Sequence, residues 1–236
     1  MQVFLISLSG VRNGSCKIGC ALCALRKDCG PPGSRLYFEA MSIQVAKRLF
    51  TVDEYYRMAE AGILAPDDRV ELIEGEIIRM SAMGCPHMAC IDRLAKQFFR
   101  CVGDLAIVRI QGPVRLSDYT EPEPDVSLLK PRADYYETAH PGPADVLLIV
   151  EVSHSSLEFD QVVKQRIYVE AGIPEYWILN LPGQSIVTHR DPSQGKYLKV
   201  EEFPRGQILT PRAFPDCAMA VDEVLGAAHL SRIISR

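Results

Sequence analysis

The chain has 236 residues, 47% of them hydrophobic and 24% charged, a composition ordinary for a soluble globular protein with one well-cored domain. No apolar run approaches the roughly 18 residues of a membrane-spanning helix, so the composition excludes an integral membrane protein built from such helices. The net charge is −4, with +3 in the first forty residues and −7 in the rest. The negative charge of residues 41–236 argues against nucleic-acid binding over a broad surface. A local basic groove, or a metal that neutralises acids at the site, could still allow such binding.

The first forty residues differ from the rest in their cysteines. Cys16, Cys20 and Cys23 have the spacing of an iron–sulfur cluster in radical-SAM enzymes, and Cys29 could complete a four-thiolate iron–sulfur or zinc site. No repeated strand–helix pattern follows that would build the barrel of such enzymes. We therefore favour a disordered leader, or translated upstream sequence with the true start at Met41.

The start of the chain, MQVFLISLSG, lacks the basic region and the long apolar core of a secretion signal. This predicts a cytoplasmic protein whose scattered cysteines are reduced and act as small apolar side chains. These cysteines are Cys85, Cys90, Cys101 and Cys217.

Residues 41–236 are predicted to form one domain, and its regular pattern begins near residue 50. Thr51 and Glu54 have the spacing of a capping box, in which each side chain bonds the other residue's backbone N–H. Apolar residues at spacings of three and four follow. They predict a helix that ends near Gly62.

An acidic residue and a glycine, Glu74-Gly75, separate two apolar runs and predict a two-residue hairpin turn. Glu71 lies in the first run, where it is either an exposed charge on the strand face or part of a functional site. After a loop at residues 81–86, His87 opens a second amphipathic helix of about 15 residues. His87 either belongs to the helix cap or points into a cleft.

Three strands are predicted next. Residues 105–116 alternate well enough for a strand, and the run EPEPDVSLL at residues 121–129 enters another strand after its prolines. Residues 145–152 are almost continuously apolar, which is typical of a strand buried on both faces.

A helix and a further buried strand complete a crossover. Ser155 and Glu158 have capping-box spacing, and Gly172 follows the helix where a terminating glycine is expected. The apolar run at residues 175–181 then predicts a strand, so the order strand, helix, strand indicates a βαβ unit. Two edge strands are predicted next, at residues 185–189 and 197–203. The tail then contains the segments 208–210 and 217–221 and a short closing helix from residue 222.

Two carboxylates lie in apolar strand-like runs, Asp125 in the first and Glu151 in the second. Burial of such groups is costly unless a cation meets them, and hard oxygen ligands on adjacent strands suit Mg²⁺ or Mn²⁺. Lys164, on the following helix, could then orient a water or neutralise developing charge. The alternative is structural: Asp125 caps a loop, Glu151 pairs with an arginine, and Lys164 bridges Asp160 along the helix.

Several motifs together resemble the Uma2 family of endonucleases, which belongs to the PD-(D/E)XK nuclease superfamily. The resemblance spans about residues 50–226, and its most specific part runs from Glu151-Val-Ser through Asp160-x3-Lys164-x3-Tyr168 to AGIPEYW. The other motifs are RVELIEGEI, MSAMGCPH, EPEPDVSLL and FPDCAMAVDEVL.

The resemblance implies a mixed α/β fold with a restriction-endonuclease-like αβββαβ core, flanking β-hairpins and a divalent-metal site. Asp125 matches the acid of the PD pair and Glu151 the acid of (D/E)-x-K, so both are implied to bind Mg²⁺ or Mn²⁺. Ser153 occupies the position of the motif lysine. Lys164 matches the lysine that replaces it in similar family members.

Glu71 and His87 match positions that recur near the family's site, without a defined role. The implied function is metal-dependent hydrolysis of DNA by a protein that could form a homodimer. Two other hypotheses remain open. One is a nuclease-like scaffold that binds nucleic acid or protein without cutting, and the other is a metal protein built on the N-terminal cysteines.

Overall fold

The structure is a computed structural model that describes residues 46–227. The predicted leader and the proposed metal site of the N-terminal cysteines lie outside these residues. No helix in residues 46–227 is both long enough and apolar enough to cross a bilayer.

The N-terminal part of the fold follows the local sequence signals. Helix α1 (Val52–Glu60) begins at Thr51, and both bonds of the predicted capping box with Glu54 are present. Strands β1 (Val70–Ile73) and β2 (Glu76–Arg79) form the predicted hairpin. Its two turn residues, Glu74 and Gly75, both have positive φ (52° and 77°), as a type I′ turn requires.

Helix α2 (Cys85–Val102) has 18 residues and begins two residues before the predicted His87. Pro86 lies in its first turn, where its missing N–H is not needed. One face of α2 is buried through Ile91, Leu94 and Phe98 against the central sheet.

A six-stranded mixed sheet forms the centre of the fold, and its strands neighbour each other in chain order. The pair β5 and β6 is parallel, and the other neighbouring pairs are antiparallel. The strands are β3 (Ile107–Ile110), β4 (Val126–Leu129), β5 (Val146–Ser153), β6 (Glu175–Asn180), β7 (Ser185–Ser193) and β8 (Lys196–Pro204).

The connection between the parallel strands β5 and β6 is helical, which confirms the predicted βαβ unit. It consists of α3 (Leu157–Phe159), a π-helical turn (Asp160–Lys164) and α4 (Gln165–Glu170). The chain leaves α4 at Gly172, whose φ is 75°. Helix α2, strands β3 to β5, this helical segment and β6 reproduce the predicted αβββαβ order.

The two faces of the sheet carry separate apolar clusters. Along β5, Leu148 and Val150 face the cluster that contains α2, and Ile149 faces the cluster that contains Tyr168 of α4. Since side chains alternate along a strand, Glu151 lies on the face of α4. This alternation brings a buried acid towards the helix that carries Lys164.

Two sequence predictions of secondary structure need correction. The strand expected over residues 105–116 is only Ile107–Ile110, because the chain turns at Gln111, where φ is 48°. Ser155 does not cap α3. The residue before the helix is Ser156, and its hydroxyl donates to the Asp160 carboxylate rather than accepting a backbone N–H.

The C-terminal segment closes over the α2 face. Strands β9 (Ile208–Leu209) and β10 (Met219–Ala220) pair, and α5 (Val221–Leu225) follows. The prediction of reduced cysteines is wrong for two of them, since Cys101 and Cys217 form a disulfide that joins α2 to this segment. Cys85 and Cys90 are free.

Candidate active site

Strand pairing places the two predicted metal ligands side by side. Val126 of β4 pairs with Val150 of β5, so the adjoining positions, Asp125 and Glu151, lie next to each other at the same end of the strands. Asp125 is fixed there because its Oδ2 accepts a hydrogen bond of 2.8 Å from the backbone N–H of Val152. Both acids are buried, with 7% and 4% of their surfaces exposed.

The β1–β2 hairpin adds a third buried acid, Glu71. Its Oε2 accepts a hydrogen bond of 3.2 Å from the backbone N–H of Glu123. A β-bridge between Leu72 and Glu121 ties the hairpin to the same segment that leads into Asp125. Of the two interpretations of Glu71 that the sequence allowed, an exposed charge on the strand face is therefore wrong.

Lys164 reaches the site from the helical segment. Its Nζ lies 3.0 Å from Glu151 Oε1 and 3.1 Å from Glu71 Oε2. The lysine comes from the last position of the π-helical turn, and π-turns are frequent at functional sites. The ion pairs of Lys164 thus join the helix to both β5 and the hairpin, and the structural alternative of a bridge to Asp160 is wrong.

The buried ion pairs set the charge states of the site. Burial raises the pKa of Glu151 to about 8, although the Lys164 ammonium opposes this rise. Burial would lower the pKa of Lys164, but Glu151 and Glu71 raise it above its ordinary value. Lys164 is therefore a cation at neutral pH, held between Glu151 and Glu71.

Tyr168, one helical turn after Lys164, also contacts Glu151. Its hydroxyl donates a hydrogen bond of 2.8 Å to Glu151 Oε1, the oxygen that faces Lys164. Within residues 46–227 no protein group donates to the other oxygen, Oε2, and Glu151 borders a pocket. Glu151 thus keeps one oxygen available to a ligand.

His87 lies against Asp125. Its Nε2 is 3.0 Å from Asp125 Oδ1, and the Gln111 amide donates to the same oxygen at 3.4 Å. The first turn of α2 therefore points His87 into the site rather than using it as a helix cap.

Ser153, at the position of the motif lysine, has a different partner. Its hydroxyl donates to Asp160 Oδ2 at 2.7 Å, and Ser156 donates to the same oxygen at 2.7 Å. Burial raises the pKa of Asp160. Ser153 thus anchors the start of the π-helical turn and supplies no cation, which leaves that role to Lys164.

The site contains a pocket of about 230 Å³. All five candidate residues from the sequence border it, and Asp160 joins them. The five are Glu71, His87, Asp125, Glu151 and Lys164.

Sequence reasoning assigned no role to Tyr168, Gln111 or the pair of Ser153 and Asp160. Tyr168 follows Lys164 by four residues on a helix, and this spacing could have indicated a shared face. No sequence signal marks Gln111. It contacts Asp125 because the chain turns directly after the short strand β3, and this turn was not predicted.

The residues of the pocket fit a divalent cation. Within residues 46–227 no three His, Cys, Asp or Glu side chains form a ready-made metal centre. Mg²⁺, however, usually binds one or two protein carboxylates and keeps water or substrate oxygens as its other ligands. Adjacent Asp125 and Glu151 supply such a pair, and Glu151 Oε2 is free to take part.

Comparison with known proteins identifies a family and a similar fold. Residues 52–222 match the Uma2 family, described as "Putative restriction endonuclease". A crystal structure from Anabaena variabilis, described as a putative nuclease belonging to DUF820, has 18% sequence identity and a TM-score of 0.60. The match covers 75% of this chain and 97% of that chain, and it shows the same fold. Comparison with curated proteins gives no match. Because the family match spans most of its length, the chain belongs to the Uma2 family.

Proposed function

We propose that this protein is a divalent-metal-dependent endonuclease that hydrolyses phosphodiester bonds in DNA. The observation that carries the proposal is the meeting of Asp125, Glu151 and Lys164, from two strands and a helix, in one pocket. The descriptions of the family and of the similar crystal structure support the same reaction class.

Asp125 and Glu151 would hold Mg²⁺ or Mn²⁺ in this proposal. When bound, such an ion activates a water and stabilises negative charge on a phosphoryl oxygen. His87 and the Val152 backbone N–H orient the Asp125 carboxylate through its two oxygens. Fixing the ligands before the reaction avoids reorganisation during it.

Lys164 would act as the catalytic cation. Its ammonium lies in the pocket wall, where it can stabilise negative charge on the reacting phosphate. It also favours the charged form of Glu151, because it opposes the pKa rise that burial causes. The cytoplasmic location and the homodimer remain predictions.

A plasmid-nicking assay tests the proposal. The protein is expected to convert supercoiled plasmid to the nicked form with added Mg²⁺ or Mn²⁺ and to stop when a chelator is present. Asp125→Asn should be inactive, since it removes a ligand charge while keeping the side-chain shape. Nicking that survives the chelator or the Asp125→Asn change would contradict the proposal.

One observation favours a second candidate, a scaffold that binds nucleic acid or protein without cutting. Lys164 already neutralises Glu71 and Glu151, so these acids can be buried without a metal. Such a scaffold would neither nick DNA nor gain thermal stability from divalent cations. A preformed metal site, by contrast, would raise the melting temperature as the metal concentration increases.

A further inference from the structure

The catalytic pocket is acidic. Five carboxylates line it, and its buried cation, Lys164, is already shared by two of them. A nucleic-acid strand carries a phosphate at every nucleotide, so its approach to these carboxylates is repelled unless unpaired cations meet the phosphates. The five acids are Glu71, Glu123, Asp125, Glu151 and Asp160.

Arg69 is placed to supply such a cation. It immediately precedes β1, and its backbone oxygen accepts a hydrogen bond of 2.9 Å from the Met80 N–H across the hairpin. Because strand side chains alternate, Arg69 lies on the same face as Glu71, two residues further on. Both residues line the pocket.

The Arg69 guanidinium forms no ion pair with an acid in the part of the chain that the structure describes. Across residues 46–227 no carboxylate lies within ion-pair distance of it, whereas arginines such as Arg115, Arg166 and Arg190 are paired. Its one side-chain hydrogen bond is a long one, 3.5 Å, to the Ser81 carbonyl. Burial raises the pKa of Glu123, and the Arg69 charge opposes this rise without outweighing it.

We propose that Arg69 binds a backbone phosphate of the nucleic-acid strand beside the reacting phosphate, an inference that rests on the proposed function. The planar guanidinium can donate two parallel hydrogen bonds to phosphate oxygens. Arg79 also borders the pocket, but it pairs with Val70 and so lies on the opposite face of the hairpin from Glu71. Phosphate contact of this kind fixes position and carries no base specificity.

DNA binding without cleavage tests this site. Binding of a fluorescent duplex to the full chain is measured by anisotropy in chelator at several salt concentrations. Arg69→Gln is expected to weaken binding about tenfold at low salt, the loss of one charge-assisted contact. It should also reduce the slope of log K against log salt by about 0.9, the value for one phosphate contact. Arg69→Lys should keep the slope, because the charge remains.

Arg100→Gln is the matched control, because Arg100 is an exposed arginine of α2 outside this pocket. Unchanged binding by Arg69→Gln, an altered slope for Arg69→Lys, or equal losses for Arg69→Gln and Arg100→Gln would overturn the inference. These outcomes are separable from failure of the proposed function. A wild-type protein that never nicks DNA contradicts the endonuclease, whereas a nicking protein with an unaffected Arg69→Gln variant contradicts the phosphate site alone.

Discussion

Glu151→Gln is expected to reduce metal-dependent nicking more than about 100-fold while preserving the fold. Loss of a partner that only orients a metal ligand already costs about 10- to 100-fold, so loss of the ligand charge should cost more. The glutamine oxygen can still accept the hydrogen bonds that Tyr168 and Lys164 donate to Glu151 Oε1. Initial rates of plasmid nicking, together with denaturant unfolding, measure the two effects.

The control for this variant is Glu158→Gln. Glu158 is an exposed acid of α3 that does not line the catalytic pocket. Glu158→Gln makes the same chemical change outside the pocket, so the nicking rate of this variant should match that of the wild type. A Glu151→Gln protein that nicks within a few-fold of the wild-type rate would show that Glu151 is not a metal ligand.

Lys164→Met is expected to lose both nicking and stability. Removal of one partner from a buried ion pair costs about 3–5 kcal/mol, because the remaining charge is buried without compensation. Here two acids, Glu71 and Glu151, lose their shared cation. Chemical denaturation at pH 9 should show a free energy of unfolding lower than that of the wild type by about this amount.

The stability loss should depend on pH, with a definite sign. Burial holds the folded-state pKa of Glu151 at about 8, above its ordinary value of 4.5, and Lys164 opposes this rise. The wild-type folded state therefore binds a proton at Glu151 below about pH 8, whereas without Lys164 the folded state keeps this proton to higher pH. The unfolded state binds none in this range. A folded state that binds more protons loses stability as pH rises. The deficit of Lys164→Met should therefore grow as the pH rises above about 8.

Lys130→Met serves as the control, since Lys130 is an exposed lysine just after β4. It should change stability by less than about 0.5 kcal/mol, as is usual for surface substitutions. A Lys164→Met protein as stable as the wild type at pH 9 would contradict the buried ion-pair arrangement.

Local chemistry made much of the fold predictable. The capping box at Thr51 and the Glu74-Gly75 turn depend on residues close in sequence, and both form as expected. The apolar runs on either side of a helical segment allowed the parallel pair β5 and β6 to be predicted. Helix starts were less certain, because Ser155 and Ser156 both offer a hydroxyl and only the tertiary contact with Asp160 decides between them.

The site residues that could be predicted were the acids whose burial in an apolar strand is energetically costly. Asp125 and Glu151 were notable because they interrupt apolar strands, and the structure brings them together at one strand end. Whether Lys164 would reach them was not predictable from spacing, because it depends on the π-helical turn and on how the helix packs on β5. The pairing of Glu71 with the same lysine joins elements far apart in the chain, which no local pattern shows.

The disulfide between Cys101 and Cys217 was also not predictable from local sequence. The two residues are separated by 116 positions and come together only because the C-terminal segment closes over α2. Nothing in their local sequences distinguishes them from the free Cys85 and Cys90.

Mn²⁺ titration calorimetry tests whether Asp125 and Glu151 hold a divalent metal. The wild-type chain should bind Mn²⁺ with saturable heat, and Asp125→Asn and Glu151→Gln should each abolish the binding while Glu158→Gln keeps it. Equal Mn²⁺ binding by the wild type and both ligand variants, or no binding by a folded wild-type protein, would contradict the account.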